Sequence, residues 1–515
     1  MSNNHKARKG GVNENNFKVN PWLWGIKALL VLVQAVVSVM LIVSTINTGL
    51  VNGLVIGIVV IVLAALLMIS GVWLLVRSKA SVVTQITCAV LSLIVIIGGI
   101  FAMSYTGAFN SFLTRVTEDK PEMKQYEVLV KNDSEVQEID ELSDKSIGFL
   151  KSDPKAANAE QKLAEVVKFD GDFYDDVDTL LETLNGDISN AIVLETDRVT
   201  MLKEGFEDLA EGVGEAAAGN VINDTRVVYT FEIELESEAL DVLDKEITTE
   251  PFVVYISGSD SREGVKATAR SDVNIVAVVN PQTAKILLVS IPRDTYVQLH
   301  GTTGIKDKLT HAGVYGIDMS RTTIEDLLGV AIDYTIKVSF DTVVKVVDQL
   351  DGIDITSDQE MTLGALNGEK CHYTVGTQHV DGNCALRFAR ERKSYETGDR
   401  HRGENQQQVI TSIVERLSKS KDYLLKIPAI LDIAADSFET TLSREDVAKF
   451  IRMQLTNARD WKVESIAING AGAMEPTYSM GANWPLYVMI PYEDTITQAT
   501  TKINEYLQDK NEVYN

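Results

Sequence analysis

Residues 258–294 read GSDSREGVKATARSDVNIVAVVNPQTAKILLVSIPRD. Within them, Val273–Asn280 and Ala284–Ile291 are β-branched, apolar runs separated by Asn280-Pro281-Gln282-Thr283, the pattern of a β-hairpin. With the turn centred on Pro281-Gln282, Arg270 is predicted to face Arg293, and Asp272 to face Ile291. Side chains directly opposite, or two apart on one strand, share a face. Arg270, Asp272 and Arg293 are therefore expected to converge at the open end of the hairpin. Two adjacent guanidiniums repel unless an anion lies between them, and the planar arginine fork matches phosphate oxygens. Asp260, upstream in a Gly-Ser-Asp-Ser loop, would join Asp272 in holding Mg²⁺, a hard cation that takes carboxylates together with substrate phosphates. The cluster suggests a phosphate or pyrophosphate site. An ordinary Arg–Asp surface network is the competing reading, and a one-residue slip in register would split the group.

Working outward, the net charge of −25 is unevenly spread. Residues 1–103 hold seven Lys and Arg against Glu14 alone, a balance of +6 that leaves −31 for the rest. A soluble part so acidic is a poor general ligand for nucleic acid or anionic lipid, so no nucleic-acid partner is expected. Neither HExxH nor CxxC occurs, which argues against zinc. Cys88 lies in an apolar run. Cys371 and Cys384 fall in the soluble part, where they would pair only if that part lies outside the cell.

Three apolar runs, about 22–47, 49–76 and 82–103, each supply the ~20 residues of a bilayer span. Residues 1–21 form a basic tail, and Arg77-Ser78-Lys79 is basic too, whereas the 46–53 connection is uncharged. The positive-inside rule places the N-terminus in the cytoplasm, and three spans then put the remainder outside. The predicted organisation is a tail (1–21), three transmembrane helices (22–103), an extracellular α/β accessory domain (104–245) and an extracellular catalytic domain (246–515).

In the accessory part, 126–130, 188–194 and 227–233 read as strands, and 157–167 and 177–184 as helices. No reactive side chains converge there on sequence grounds, so a spacer or partner-docking role is expected. Beyond Phe252, strands and helices alternate. Helices are predicted at 321–328, 341–350, 445–455 and 494–507, with strands at 334–338, 352–355, 463–468 and 486–490. This rhythm predicts an α/β fold with a central mixed sheet covered by helices on both faces.

A second charged stretch runs from His379 to Arg392 (HVDGNCALRFARER) and on through Gly398-Asp399-Arg400-His401-Arg402 to Gln408. Arg390 and Arg392 would share a face if the backbone is extended. Arg402 precedes a run with helical apolar spacing, and a helix N-terminus favours phosphate. Gln406 in the first turn would add an amide donor. A charged, solvated surface loop is the alternative reading.

Taken together, Gly258–Arg262, Ala269–Asp272, Ile291–Asp294, Lys308-Leu-Thr-His311-Ala, Asp381–Arg392 and Gly398–Gln407 resemble the LytR-CpsA-Psr family of Gram-positive bacteria. The spans and middle domain look like its CpsA-type capsule members. The resemblance implies a Mg²⁺-dependent phosphotransferase in the cell membrane. It would move a phosphate-linked glycopolymer, capsular or teichoic-acid-like, from an undecaprenyl-pyrophosphate carrier to peptidoglycan, with muramic acid O6 as attacking hydroxyl. It implies an apolar lipid pocket between sheet and helices. It assigns Arg270, Arg293, Arg390, Arg392, Arg402 and Gln406 to the pyrophosphate and Asp260 and Asp272 to the metal, and Asp399 is similar to a further family acid near the site. For catalysis, Arg293 is expected to stabilise the transferred charge and either Asp294 or Asp399 to accept the hydroxyl proton. Asn405 stands where many members have Arg. The rival classes are a membrane sensor that binds lipid pyrophosphate, and a lipid-pyrophosphate hydrolase.

Overall fold

A computed structural model describes residues 21–76, 81–117, 123–210, 220–235, 245–259, 269–364, 368–419, 438–457 and 459–510. Residues 1–20 of the basic tail, the 77–79 loop and Asp260 lie outside them. The chain divides after Asn110 into two compact units. Pro21–Thr48 and Gly53–Val76 in the first, and Val82–Arg115, whose last residues fall beyond that division, are long and apolar enough to cross a membrane. The third helix continues to Val116, well past the end of its apolar run.

The second unit holds two principal sheets. The smaller has five strands, in the order Asp170–Tyr174, Ser146–Leu150, Ala191–Glu195, Met123–Lys131, Thr225–Glu234. The first three run parallel, and the last two pair antiparallel. Ser146–Leu150 and Asp170–Tyr174 were not foreseen; Asp170–Tyr174 is short, largely exposed and polar, and carries little strand periodicity.

The larger sheet is the mixed one expected. Its order is Phe438–Thr440, Tyr334–Ser339, Phe252–Ser259, Val273–Asn280, Lys285–Ser290, Lys462–Ala467. One face packs on helices Ile317–Leu328 and Glu493–Gln508 through Tyr255, Val276, Val278, Leu287, Ile324 and Ile503. The opposite face, built from Phe252, Val254, Ile275, Ala277, Leu288, Tyr334 and Val463, meets Ile410, Leu442 and Phe450.

Two predicted strands lie elsewhere. Ile353–Ser357 pairs with Gly376–Val380, and Gly481–Pro491 pairs back on Gly470–Thr477. Each forms a two-stranded sheet of its own, the first enclosing strands Met361–Gly364 and Lys370–Tyr373 in sequence.

The 273–290 hairpin forms, with a different register. Val279 faces Ile286 and Ile275 faces Ser290. The turn takes four residues, because the Asn280 side chain accepts from the Gln282 and Thr283 N–H groups and Ala284 adopts φ 52°. Strand pairing thus resumes at Lys285, one residue later than expected. Each expected partner moves by two positions, which leaves every side chain on its predicted face.

Candidate functional site

Continued beyond the paired residues, the observed register sets Arg293, not Ile291, against Asp272, and the Arg293 Nη1 lies 2.9 Å from Asp272 Oδ1. Arg270 consequently does not face Arg293. It sits half-buried two residues before Asp272, outside the group that lines the cleft described next.

That cleft encloses about 170 Å³ and is lined by Asp272, Arg293, Phe340, Arg390, Arg392, Arg402 and Gln406. Three elements supply the polar groups, and Phe340 opens a fourth, helix Phe340–Gln349. The hairpin brings Asp272 and Arg293. Helix Gly382–Ala389 delivers Arg390 at its C-terminal end, with Arg392 just beyond. Arg390 is in the helical region of φ/ψ, so the expected extended Arg390–Arg392 pair does not exist; the turn leaving the helix brings both to the cleft instead. The third element, Asp399–Lys419, starts three residues before Arg402. Arg402 therefore belongs to its first turn, and Gln406, one turn further along on the same face, to the second rather than the first.

Behind the cleft lie carboxylates that orient the guanidiniums. Asp399 bonds the Arg402 Nη2 at 2.7 Å and lies 3.6 Å from Arg392 Nη1. The Arg293 Nε is 3.4 Å from Asp399 and 3.8 Å from Asp294. Buried as it is, that Nε makes no hydrogen bond among the described residues, so charge rather than a directional bond holds this edge. Asp294 is tied to Lys308 Nζ at 3.0 Å. Arg390 stacks over the Phe340 ring at 4.5 Å, a cation–π contact that fixes its plane. Counting Arg293, Arg390, Arg392, Arg402 and Lys308 against Asp272, Asp294 and Asp399, the site keeps a surplus of two positive charges.

Burial and neighbours separate the two rear carboxylates. For Asp294, burial pushes the pKa up, but Lys308 and Arg293 outweigh it and hold it below the ordinary range. For Asp399, burial leads, Arg402 opposes, and the Asp294 charge adds, leaving it raised. Burial also lowers Arg402, while the Arg293 guanidinium is driven up because Asp272, Asp294 and Asp399 outweigh its burial.

Sequence reasoning gave no role to Lys308, although its motif was singled out. It missed Phe340, which no local pattern marks. Cys371 and Cys384 form a disulfide with Cα atoms 5.5 Å apart. Among the described residues no group of three or more His, Cys, Asp or Glu gathers to hold a metal. A wider cleft of about 620 Å³, between helix 399–419 and strand 462–467, contains Arg400, Glu404 and Asn469 but none of the cleft arginines.

A mixed α/β fold in which three elements aim arginines into one polar cleft has the charge and geometry that suit a multiply charged anion. The chain belongs to the LytR_cpsA_psr family, whose model matches residues 223–493. A Bacillus mycoides relative, polyisoprenyl-teichoic acid–peptidoglycan teichoic acid transferase TagU, is 34% identical over 44% of this chain and 70% of its own length. The Halalkalibacterium halodurans TagU is 29% identical over 53% of this chain and 84% of that protein. The crystal structure of B. subtilis TagV aligns at 26% identity and a TM-score of 0.42, covering 51% of this chain and 99% of that one.

Proposed function

We propose that this protein is a membrane-anchored transferase. It would move a phosphate-linked cell-wall glycopolymer, teichoic-acid-like or capsular, from a polyisoprenyl pyrophosphate carrier, undecaprenyl pyrophosphate, to peptidoglycan. The observation that carries this reading is the convergence of Arg293, Arg390, Arg392 and Arg402 with Gln406 on one 170 Å³ cleft. The names of the TagU relatives supply the reaction class. Helix 399–419 offers a path for the lipid: Arg402 and Gln406 line the small cleft, and Gln407 and Thr411 line the wider one beside Val463 and Ile466. An isoprenoid tail would follow that wider cleft away from its headgroup. The three apolar helices would keep the enzyme in the bilayer where the carrier diffuses, with the cleft on the outer side.

Phosphoryl transfer is largely positioning and charge neutralisation. Arg293, Arg390, Arg392 and Arg402 grip the pyrophosphate oxygens, and Gln406 donates its amide. A glycan hydroxyl attacks the phosphorus that bears the polymer. The new O–P bond forms as the bond to the polyisoprenyl phosphate breaks, and the leaving phosphate keeps the electron pair beside the arginines. The hydroxyl proton passes to Asp399, the rear carboxylate with the raised pKa. A hard cation that takes one or two carboxylates plus substrate phosphates fits a cleft offering Asp272 beside the phosphate seat. Asp272, with Asp260 as second ligand, would hold Mg²⁺, which supplies further neutralisation of phosphate charge when bound.

The test incubates the full chain in detergent with lipid-pyrophosphate-linked polymer and glycan strands, with and without Mg²⁺. A covalent polymer–glycan product that needs Mg²⁺ is expected, and Arg293→Ala should lower its rate by about 10²-fold or more. Saturable binding with no product would favour a sensor, and polymer released without glycan would favour a hydrolase. Either result overturns the reading.

A further inference from the structure

The accessory sheet and the large sheet are joined by a buried chain of charged and polar groups that ends at the cleft. In the accessory part, Lys124 lies 3.1 Å from both Asp153 and Glu195, and Glu195 accepts from Arg198 at 2.8 Å. All four are at most 4% exposed. Burying four charges is costly unless each is paired, and here two cations meet two anions.

Arg198 also reaches across to the other sheet's territory. Its Nη1 donates to the Ser479 carbonyl, and its Nη2 donates to the Tyr315 hydroxyl at 3.0 Å. Ser479 donates through both its N–H and its hydroxyl to Asp307 Oδ2. The other oxygen of Asp307 takes the Lys308 N–H at 2.8 Å and lies 2.6 Å from His311 Nδ1.

Segment 307–311 is the seat of the cleft residues. The Thr310 N–H donates to the Arg293 carbonyl (2.9 Å), and the Thr310 carbonyl accepts from the Ser271 N–H (3.1 Å). The Leu309 N–H donates to the Thr295 carbonyl (2.9 Å), and Lys308 holds Asp294. Just beyond, a Cβ at Gly313 would strike the Ala269 carbonyl, so the segment lies directly on the backbone that leads to Asp272.

We infer that the accessory domain positions the phosphate cleft: Arg198, acting through Ser479 and Asp307, fixes segment 307–311 and thereby the placement of Arg293 and Asp272. Arg198 touches no substrate and is a positioning residue. The inference rests on the transferase reading for what the cleft binds, but the placement itself is measurable without any ligand. It gives the accessory domain a part in the site instead of a spacer's role.

The experiment uses the full chain in detergent, its Arg198→Lys and Ser479→Ala forms, and Arg293→Ala as a separate control. R198K keeps the charge and loses the fork; S479A keeps the carbonyl for Arg198 and loses the hydroxyl for Asp307. Amide hydrogen exchange is read at Ser271 and Thr310, and affinity is read with farnesyl pyrophosphate. Both substitutions are expected to speed exchange at those two amides by about tenfold while the accessory strand 123–131 stays protected. Farnesyl pyrophosphate should bind about five- to tenfold more weakly, the lower end of coupling between sites. Unchanged exchange at Ser271 and Thr310 in both variants would overturn the inference, as would a uniform loosening that includes 123–131. The control separates the two ideas. Full farnesyl pyrophosphate affinity in R293A would sink the transferase reading, and the exchange result would still decide whether the accessory domain positions the cleft.

Discussion

Arg293 is the residue on which the site turns, because one guanidinium touches the carboxylates of three different segments. Asp272 takes its Nη1, and Asp294 and Asp399 flank its Nε. Those last two are pushed apart in acidity: Lys308 and Arg293 hold Asp294 ionised, whereas burial and the Asp294 charge raise Asp399. Two neighbouring carboxyl groups with opposed shifts differ in protonation over a window of pH, as an acid and a base would need. If Asp399 is the proton acceptor proposed above, it must be ionised to work, so activity would be present above its pKa and lost as pH falls through it. The acid limb of kcat/KM should therefore lie above the ordinary aspartate value of about 3.9, with an apparent pKa that belongs to the coupled pair. Asp399→Asn should abolish that limb and lower the plateau by about 10²- to 10⁴-fold. A pH–rate profile of the variant that keeps the wild-type limb would assign the base elsewhere.

Among the elements, helix 382–389 is the most constrained, and its end sets where Arg390 and Arg392 point. The Asp348 side chain accepts from its first N–H, and Gly382 sits so close to the Val344 backbone that no Cβ fits between them. The Cys371–Cys384 bond ties its first turn to strand Lys370–Tyr373 across 13 residues. A loop of that size contributes about 3 kcal/mol by restricting the unfolded chain. Reducing the bond, or Cys384→Ser, should lower the unfolding free energy by about that amount, read from denaturant titration. Phosphate-ligand affinity should fall with it, because the two arginines leave directly from the loosened helix. At this scale the sequence was largely readable. Alternation and 3.6-residue spacing marked the hairpin strands and the helices at 317–328, 340–349 and 493–508, since one buried face leaves a periodic trace. The register was not readable, because it depends on the Asn280 side chain lengthening the turn. Nor was the membership of Ile353–Ser357 in a separate two-stranded sheet, because strand pairing is a tertiary choice. The arginines announced themselves by type and spacing. Phe340 and the link from Arg198 to Ser479 did not, since 281 residues separate that pair and neither neighbourhood carries a motif.

For the molecule as a whole, the seam between the two sheets of the second unit is both apolar and ionic. Val314, Met480 and Leu486 join the core formed by Leu129, Leu150, Leu180 and Leu202, so the accessory sheet is not independently packed. Beside that core lies the four-charge group of Lys124, Asp153, Glu195 and Arg198. Burial would raise the Glu195 pKa, but Arg198 and Lys124 outweigh it and bring it down to about 2. A carboxylate depressed in the folded state contributes stability above its unfolded pKa of about 4.3, and that contribution is lost as pH falls through the folded value. The size of the shift corresponds to about 3 kcal/mol, which should disappear between about pH 4 and pH 2. Glu195→Gln leaves two buried cations facing only Asp153 and should cost about 3–5 kcal/mol at neutral pH. Thermal unfolding of wild type and E195Q between pH 7 and pH 2 checks both points. The gap between them should be widest at neutral pH and narrow by about 3 kcal/mol toward pH 2, because protonation removes from the wild type the charge that the substitution has already removed. A gap that stays constant across this range would mean that Glu195 ionises equally readily in the folded and the unfolded chain, so that its ion pairs add no net stability and the seam is held by its apolar core.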